Sequence, residues 1–264
     1  MPQSLARGFV RVAALFAQAG LWGLLGGSAL VLGASVAYLT QLPQRAVAAI
    51  MAAGAGVLIS AVAFDLMDDA YASGGFGATA AGFLVGAAIY TAANVYVTRR
   101  GAAHRKRAGF HPEKRQSGDD ASGLAIAVGA LLDGIPESVV IGGGLLQGGQ
   151  VGLTTVAAVF LSNVPEGLSS AAGMRKAGRS ATYVLGVWVG IALLSGLAAL
   201  LGNVALAGAS PALIAAVTAL AAGAILAMLV DTMIPEAFEN AHDYAGLITV
   251  LGFLAAFVLS KHGG

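Results

Sequence analysis

The sequence predicts an all-α integral membrane protein, and three observations carry that prediction. Hydrophobic residues fill 58% of the 264 positions and charged residues only 10%, against about 25% charged in a soluble domain. Apolar windows close to the roughly 20 residues that a spanning helix needs recur eight times along the chain. Glycine at 38 positions suits helices whose backbones approach closely in lipid. One soluble core cannot bury so much apolar surface, so lipid is the expected solvent for most of the chain.

Taken in order, residues 1–18 read as a short amphipathic lead-in helix, with Arg7 and Arg11 among apolar positions. A cleaved signal peptide is the rival reading of that segment. Transmembrane spans are expected at 20–40, 46–67, 77–98, 122–146, 151–173, 181–202, 211–235 and 244–261. The stretch 99–120 is the one hydrophilic loop and is too short to be a domain, so residues 1–264 form a single transmembrane domain. Of the 14 Lys and Arg residues, 11 fall in loops after odd-numbered spans: Arg45, seven between Arg99 and Arg115, then Arg175, Lys176 and Arg179. The positive-inside rule puts those loops in the cytoplasm and both termini outside. A multi-pass protein of the plasma or inner membrane is expected. A net charge of +1 gives no reason to expect nucleic acid, and the lack of cysteine excludes disulfides, thiolate metal sites and cysteine nucleophiles.

Acids are the informative residues. Only Glu113, Asp119 and Asp120 of the 13 Asp and Glu lie in the long loop. The other ten sit within apolar segments or at their ends, and no Lys or Arg lies in the interior of a span to neutralise them. A carboxylate in mid-span costs about 2.5–3.5 kcal/mol on insertion scales. Several of them without basic partners imply protons, a water-filled path or metal cations.

Two segments concentrate the pattern. Asp133-Gly-Ile-Pro136-Glu137-Ser and Ser162-Asn-Val-Pro165-Glu166-Gly share Pro-Glu followed by a small residue. In an antiparallel hairpin about the Gln147–Gly152 turn, the two glutamates reach a similar depth. Asp133 precedes Glu137 by four residues, and Ser162 and Asn163 precede Glu166 by four and three, so each set shares a helix face. A helical proline leaves the carbonyl four residues back without its donor, which frees the carbonyls of Leu132 and Leu161 beside the acids. Such backbone is tolerated at membrane depth where it lines a cavity. The expectation is a cluster of oxygen ligands on two kinked helices. Asp65 ends the second span and Asp231 the seventh, each followed by Met two residues on and then an acid-Ala pair. That likeness points to an inverted repeat, a common transporter architecture. Asp68, Asp69, Glu236, Glu239 and His242 are expected to lie along the approach and exit of the same path.

These motifs resemble those of the ZIP (Zrt-, Irt-like protein) family of divalent metal transporters. The fourth and fifth helices of that family carry a His-Asn-x-Pro-Glu-Gly type motif and a second x-x-x-Pro-Glu-Gly motif. The likeness extends to eight spans, a long loop after the third, and a seventh span ending in Ile-Pro-Glu-Ala. It implies a ZIP-like bundle, import of zinc, iron, manganese or related ions through a two-metal site, and frequent dimerisation. By position, Glu137 and Glu166 match the bridging glutamates. Asp133 takes the usual histidine position and Gly134 the usual asparagine position. Ser162 and Asn163 stand where Gln or His and Asp or Asn are common, and Asp65 and Asp231 match ligands of the second and seventh spans. The chain departs from the family in having no histidine within a span: its four are His104, His111, His242 and His262. Carboxylate in place of imidazole hardens the site toward Mn²⁺ and Mg²⁺-like ions relative to Zn²⁺.

The resulting expectation is a transporter, not an enzyme. Its substrates are divalent metals, zinc first, with manganese, iron or cadmium as the others, and it needs no resident cofactor. The alternatives are a proton-coupled carrier or exporter using the acids as a relay, and a metal sensor without flux. No His-Glu-x-x-His or Gly-x-Ser-x-Gly motif supports a membrane hydrolase.

Overall fold

In lipid every backbone N–H and C=O must find a partner within its own segment, which favours unbroken helix. The computed structural model describes residues 2–40, 42–99, 119–146, 153–176 and 178–262; nearly all of them are helical, and none lies in a strand. The helices are α1 (Pro2–Leu39), α2 (Gln44–Ala61), α3 (Met67–Val97), α4 (Asp119–Gly144), α5 (Leu153–Lys176), α6 (Ala181–Leu206), α7 (Pro211–Met228), α8 (Ile234–Ala241) and α9 (Ala245–His262). One π-helical turn, Val62–Leu66, joins α2 to α3, and a second, Leu229–Met233, joins α7 to α8. Five helical stretches among the described residues are long and apolar enough to cross a membrane: Ala14–Leu39, Gln44–Val97, Ala181–Leu206, Pro211–Glu239 and His242–His262. Such content marks the chain as a membrane protein. The expected lead-in helix is continuous with α1. Most of the hydrophilic loop, with His104 and His111, lies outside the described residues.

The stretch Gln44–Val97 spans 54 residues, which as one straight helix would run roughly 80 Å, far beyond a hydrocarbon core of about 30 Å. It folds back at Gly75, whose φ of 69° lies in the left-handed region that glycine adopts without steric cost. Contacts with α7 and the π turn that follows it record the reversal. Before the bend, Gly54 faces Met233 and Gly74 faces Ala215; after it, Gly82 meets Ala216 and Gly86 meets Leu220.

Close glycine contacts fix the pairing of the rods. A β-carbon at Gly86 would lie 1.8 Å from the Leu220 carbonyl oxygen, and one at Gly223 would lie 2.0 Å from that of Phe83. The α2/α9 pair repeats this, with Gly56 against Thr249 and Gly252 against Ala53. Both pairs run parallel. So do α1 with α5, where Gly33 meets Val164 and Gly167 meets Leu30, and α4 with α6, where Gly142 meets Ala199. Small residues at the seams and large apolar ones outside follow from packing in lipid. Leu21, Leu32, Leu193, Leu201, Leu247 and Leu254 are all exposed, whereas Ala52, Ala55, Ala219 and Ala222 are completely buried.

Helix ends are secured by short-range chemistry. The hydroxyls of Ser180 and Ser210 accept hydrogen bonds from the Tyr183 and Leu213 backbone N–H groups, capping α6 and α7. At the other end of α1, the Arg175 guanidinium donates to the carbonyls of Ala37, Tyr38 and Thr40 at 3.2, 2.9 and 3.1 Å. It also stands over the Tyr38 ring, 5.6 Å from its centre. A cation here satisfies terminal carbonyls that lack intrahelical donors and complements the helix dipole. Arg175→Ala is expected to cost about 1–3 kcal/mol, read as a lower melting temperature in detergent. Arg175→Lys recovers only part of it, because the ammonium lacks the planar group that stands over the Tyr38 ring. An unchanged melt for Arg175→Ala would refute this clamp.

Candidate metal site

Helix α4 places Asp133 and Glu137 one turn apart, and both are buried, at 1% and 2% exposure. Helix α5 places Ser162 and Asn163 in the same buried interior, with Glu166 partly buried one turn further along. Both helices continue through Pro136 and Pro165. Among the described residues the fully buried charged side chains are Asp133, Glu137 and Glu236, and no Lys, Arg or His joins them. These few acids lie within an otherwise apolar interior, where a carboxylate is costly unless it serves a cation or proton.

Helix α1 serves as a ruler for depth. Gly26 of α1 approaches Ile141 on α4 and Val159 on α5, at 3.2 and 3.3 Å from where a β-carbon would sit. Since α5 runs parallel to α1 and α4 runs against it, Glu137 lies four residues beyond this level and Asn163 also four. Asp133 lies eight residues beyond it and Glu166 seven. Two layers result: Glu137 with Asn163, then Asp133 with Glu166, about 6 Å apart along the bundle. The two glutamates differ by three residues, roughly 5 Å in depth. Helix α4 packs chiefly on α6 and α5 chiefly on α1, with little direct contact between α4 and α5.

Each polar group is held by named neighbours. Asp133 Oδ1 accepts from the Tyr90 hydroxyl of α3 at 2.9 Å. Asn163 donates from Nδ2 to the Gly26 carbonyl at 3.1 Å, which commits its nitrogen and leaves the oxygen as the end suited to a cation. The Ser162 hydroxyl donates back to the Val159 carbonyl. Further along, Glu166 and Glu236 line one small cavity with Met51, Ser169, Ser170 and Met233, with space for about one water-sized guest. The Ser169 hydroxyl donates to Glu236 Oε1.

Asp65 and Asp231 occupy corresponding places, each within a π-helical turn. Turns of this kind are rare and recur at functional sites. Asp65 is half-buried and accepts from the Ser260 hydroxyl at 2.6 Å, while the neighbouring Lys261 ammonium rests over Phe64 and Phe257. Asp231 is exposed and accepts from Asn94 Nδ2 at 3.4 Å. Asp68, Asp69, Glu239 and His242 are exposed as well.

Counted from Gly26, Asp133, Glu137, Asn163 and Glu166 thus fall at neighbouring depths, and Glu236 lines one cavity with Glu166. Asp65 and Asp231 stand apart with their own partners. Among the described residues no three His, Asp or Glu side chains converge as a metal cage. A bound ion would therefore draw on serine, asparagine or backbone oxygens as well as on one or two carboxylates. The polar partners Tyr90, Asn94, Ser169 and Ser170 escape a search of the sequence for acids. Their only signal is a polar side chain at helical spacing within an apolar run. No protein-family model and no curated protein matches the chain, so the likeness to the ZIP proteins rests on the motifs alone.

Proposed function

We propose that the chain is a ZIP-like transporter carrying divalent transition-metal ions across the plasma or inner membrane into the cytoplasm. Zinc is the first candidate, with manganese, iron and cadmium as the others. The observation that supports this reading is the burial of Asp133, Glu137, Ser162, Asn163 and Glu236 in an apolar bundle with no buried basic residue among those described. In this reading the chain crosses eight times with both termini outside. An ion passes from the Asp65 end, through the Glu137/Asn163 and Asp133/Glu166 layers, to the cavity at Glu236. The oxygen-rich donor set favours hard ions, which keeps manganese in the panel beside zinc.

Support for an inverted repeat comes from matched helices. Both α2 and α7 are 18 residues long, and each leads into a five-residue π turn holding an aspartate. Each then pairs in parallel with the rod next to the other in sequence, α2 with α9 and α7 with the second arm of α3.

The test is uptake of Zn²⁺, Mn²⁺, Fe²⁺, Cd²⁺ and Mg²⁺ into proteoliposomes. Saturable flux of at least one ion is expected, and folded protein that moves none refutes the proposal. Uptake is also expected to fall as the outside is acidified, because a carboxylate must be deprotonated to bind metal, so protons compete with the ion. Flux that rises on acidification instead supports a second reading, a proton-coupled carrier. The arrangement of the acids in pairs and single steps, without a three-acid cage among the described residues, favours that reading.

A further inference from the structure

Helix α3 contributes no acid to the path after its bend at Gly75, yet it touches two of the acids that do. Tyr90 and Asn94 stand one turn apart on α3, and each donates to a different carboxylate, Tyr90 to Asp133 and Asn94 to Asp231. The first contact joins two side chains that are 98–99% buried, since Tyr90 is 2% exposed and Asp133 1%. We propose that Tyr90 is a positioning residue for the ion path: its hydroxyl fixes the plane of the Asp133 carboxylate, and Asn94 does the same, more weakly, for Asp231. The proposal deepens the metal-transport reading and rests on it.

The physical case begins with Asp133 itself. An aspartate has one fewer methylene than a glutamate and swings about two torsions, so a donor on one oxygen constrains where the other points. A tyrosine hydroxyl suits this role in a dry interior, because it donates without adding a charge that would repel the incoming cation. A lysine or arginine in its place would hold the carboxylate and also neutralise it. The contact reaches across the bundle as well. Tyr90 belongs to the rod paired with α7, whereas Asp133 belongs to the rod paired with α6, so orientation of the ligand depends on how these two pairs sit. Partners of this kind typically contribute 10–100-fold in metal affinity or activity when removed.

The test uses the full chain in proteoliposomes and in detergent, with Zn²⁺, Mn²⁺ and Cd²⁺ as probes, as wild type, Tyr90→Phe, Asp133→Asn and the double variant. Tyr90→Phe keeps the ring and its packing and removes only the donor. Its apparent KM is expected to rise about 10-fold or more for the preferred ion while the maximal rate stays within about twofold. The preference among the three ions should flatten at the same time. In the Asp133→Asn background, Tyr90→Phe should add little, because residues acting through one another are not additive. Asn94→Leu should shift KM in the same direction by less. An unchanged KM in Tyr90→Phe overturns the inference, and so does an undiminished effect in the Asp133→Asn background. A lower melting temperature with equal rate loss for all three ions also overturns it, since that pattern marks a purely structural contact. When wild type transports and only these comparisons fail, the transport reading stands and the positioning role falls. Folded wild type that moves none of Zn²⁺, Mn²⁺, Fe²⁺, Cd²⁺ and Mg²⁺ overturns both.

Discussion

Glu137→Ala combined with Glu166→Ala is expected to abolish saturable metal flux. The two carboxylates lie on separate helices in adjacent layers, one fully and one partly buried, with a depth difference of roughly one turn by the α1 ruler. An ion moving along the bundle therefore meets both. A contact to a charged group is worth about 1.5–3 kcal/mol, so two of them contribute roughly 3–6 kcal/mol. At 1.4 kcal/mol per tenfold, that is a loss of about 10²–10⁴ in apparent affinity. No Lys, Arg or His is buried among the described residues, so the change strands no buried cation and the folded bundle should survive it. Glu137→Gln with Glu166→Gln keeps shape and hydrogen bonding and should lose nearly as much, which separates loss of charge from loss of packing. Uptake is measured beside the melting temperature of each variant. Flux within a few-fold of wild type in a folded double variant would remove both glutamates from the path, and with them the central argument for a metal route.

How far the sequence discloses this arrangement differs from residue to residue. Asp133, Glu137, Ser162 and Asn163 are legible as interior groups because helical spacing groups them on one face of each span, and all four are buried. The likeness around Asp65 and Asp231 is also visible, but not the π turns that hold them, which depend on a local change in hydrogen-bond register. Glu236 reads equally well as part of an exposed turn, and its neighbours Glu239 and His242 are exposed. Glu236 itself is 4% exposed, packed beside Met51, Glu166 and Ser169 of helices distant in sequence, with the Ser169 hydroxyl donating to it. Tyr90 and Asn94 illustrate the same limit. A period of 3.6 residues tells which side chains share a face of one helix, but not which other helix that face meets. The bend at Gly75 is hidden for a different reason: apolar helix continues on both sides of it, and only the length of the run betrays a reversal.

Glycine seams give the second large effect, and here the sign of the change should depend on the space available. At the α3/α7 seam, a β-carbon on Gly86 or Gly223 would stand within 2.0 Å of a carbonyl oxygen of the opposing backbone. No rotamer relieves that, because the first side-chain carbon is itself the clash and the partner is main chain. The helices must move apart, losing dispersion contacts and close Cα–H···O contacts along the whole seam. Gly86→Ala is expected to cost about 1–3 kcal/mol or more, the range for overpacking, and Gly86→Leu to leave little folded protein. Gly186 and Gly190, on α6, have nothing within 4 Å of an added β-carbon. There alanine should stabilise by roughly 0.5–1 kcal/mol, the ordinary helix preference of alanine over glycine. Thermal melts in detergent of Gly86→Ala, Gly223→Ala, Gly186→Ala and Gly190→Ala compare the two classes directly. A fall for the first two with no fall for the others shows that backbone contact between parallel rods, rather than glycine content as such, holds the bundle. Equal shifts at all four positions would mean that α3 and α7 do not meet through these glycines. The parallel pairing of α7 with the arm beyond Gly75 would then lose its main support, and with it the route by which Tyr90 reaches Asp133.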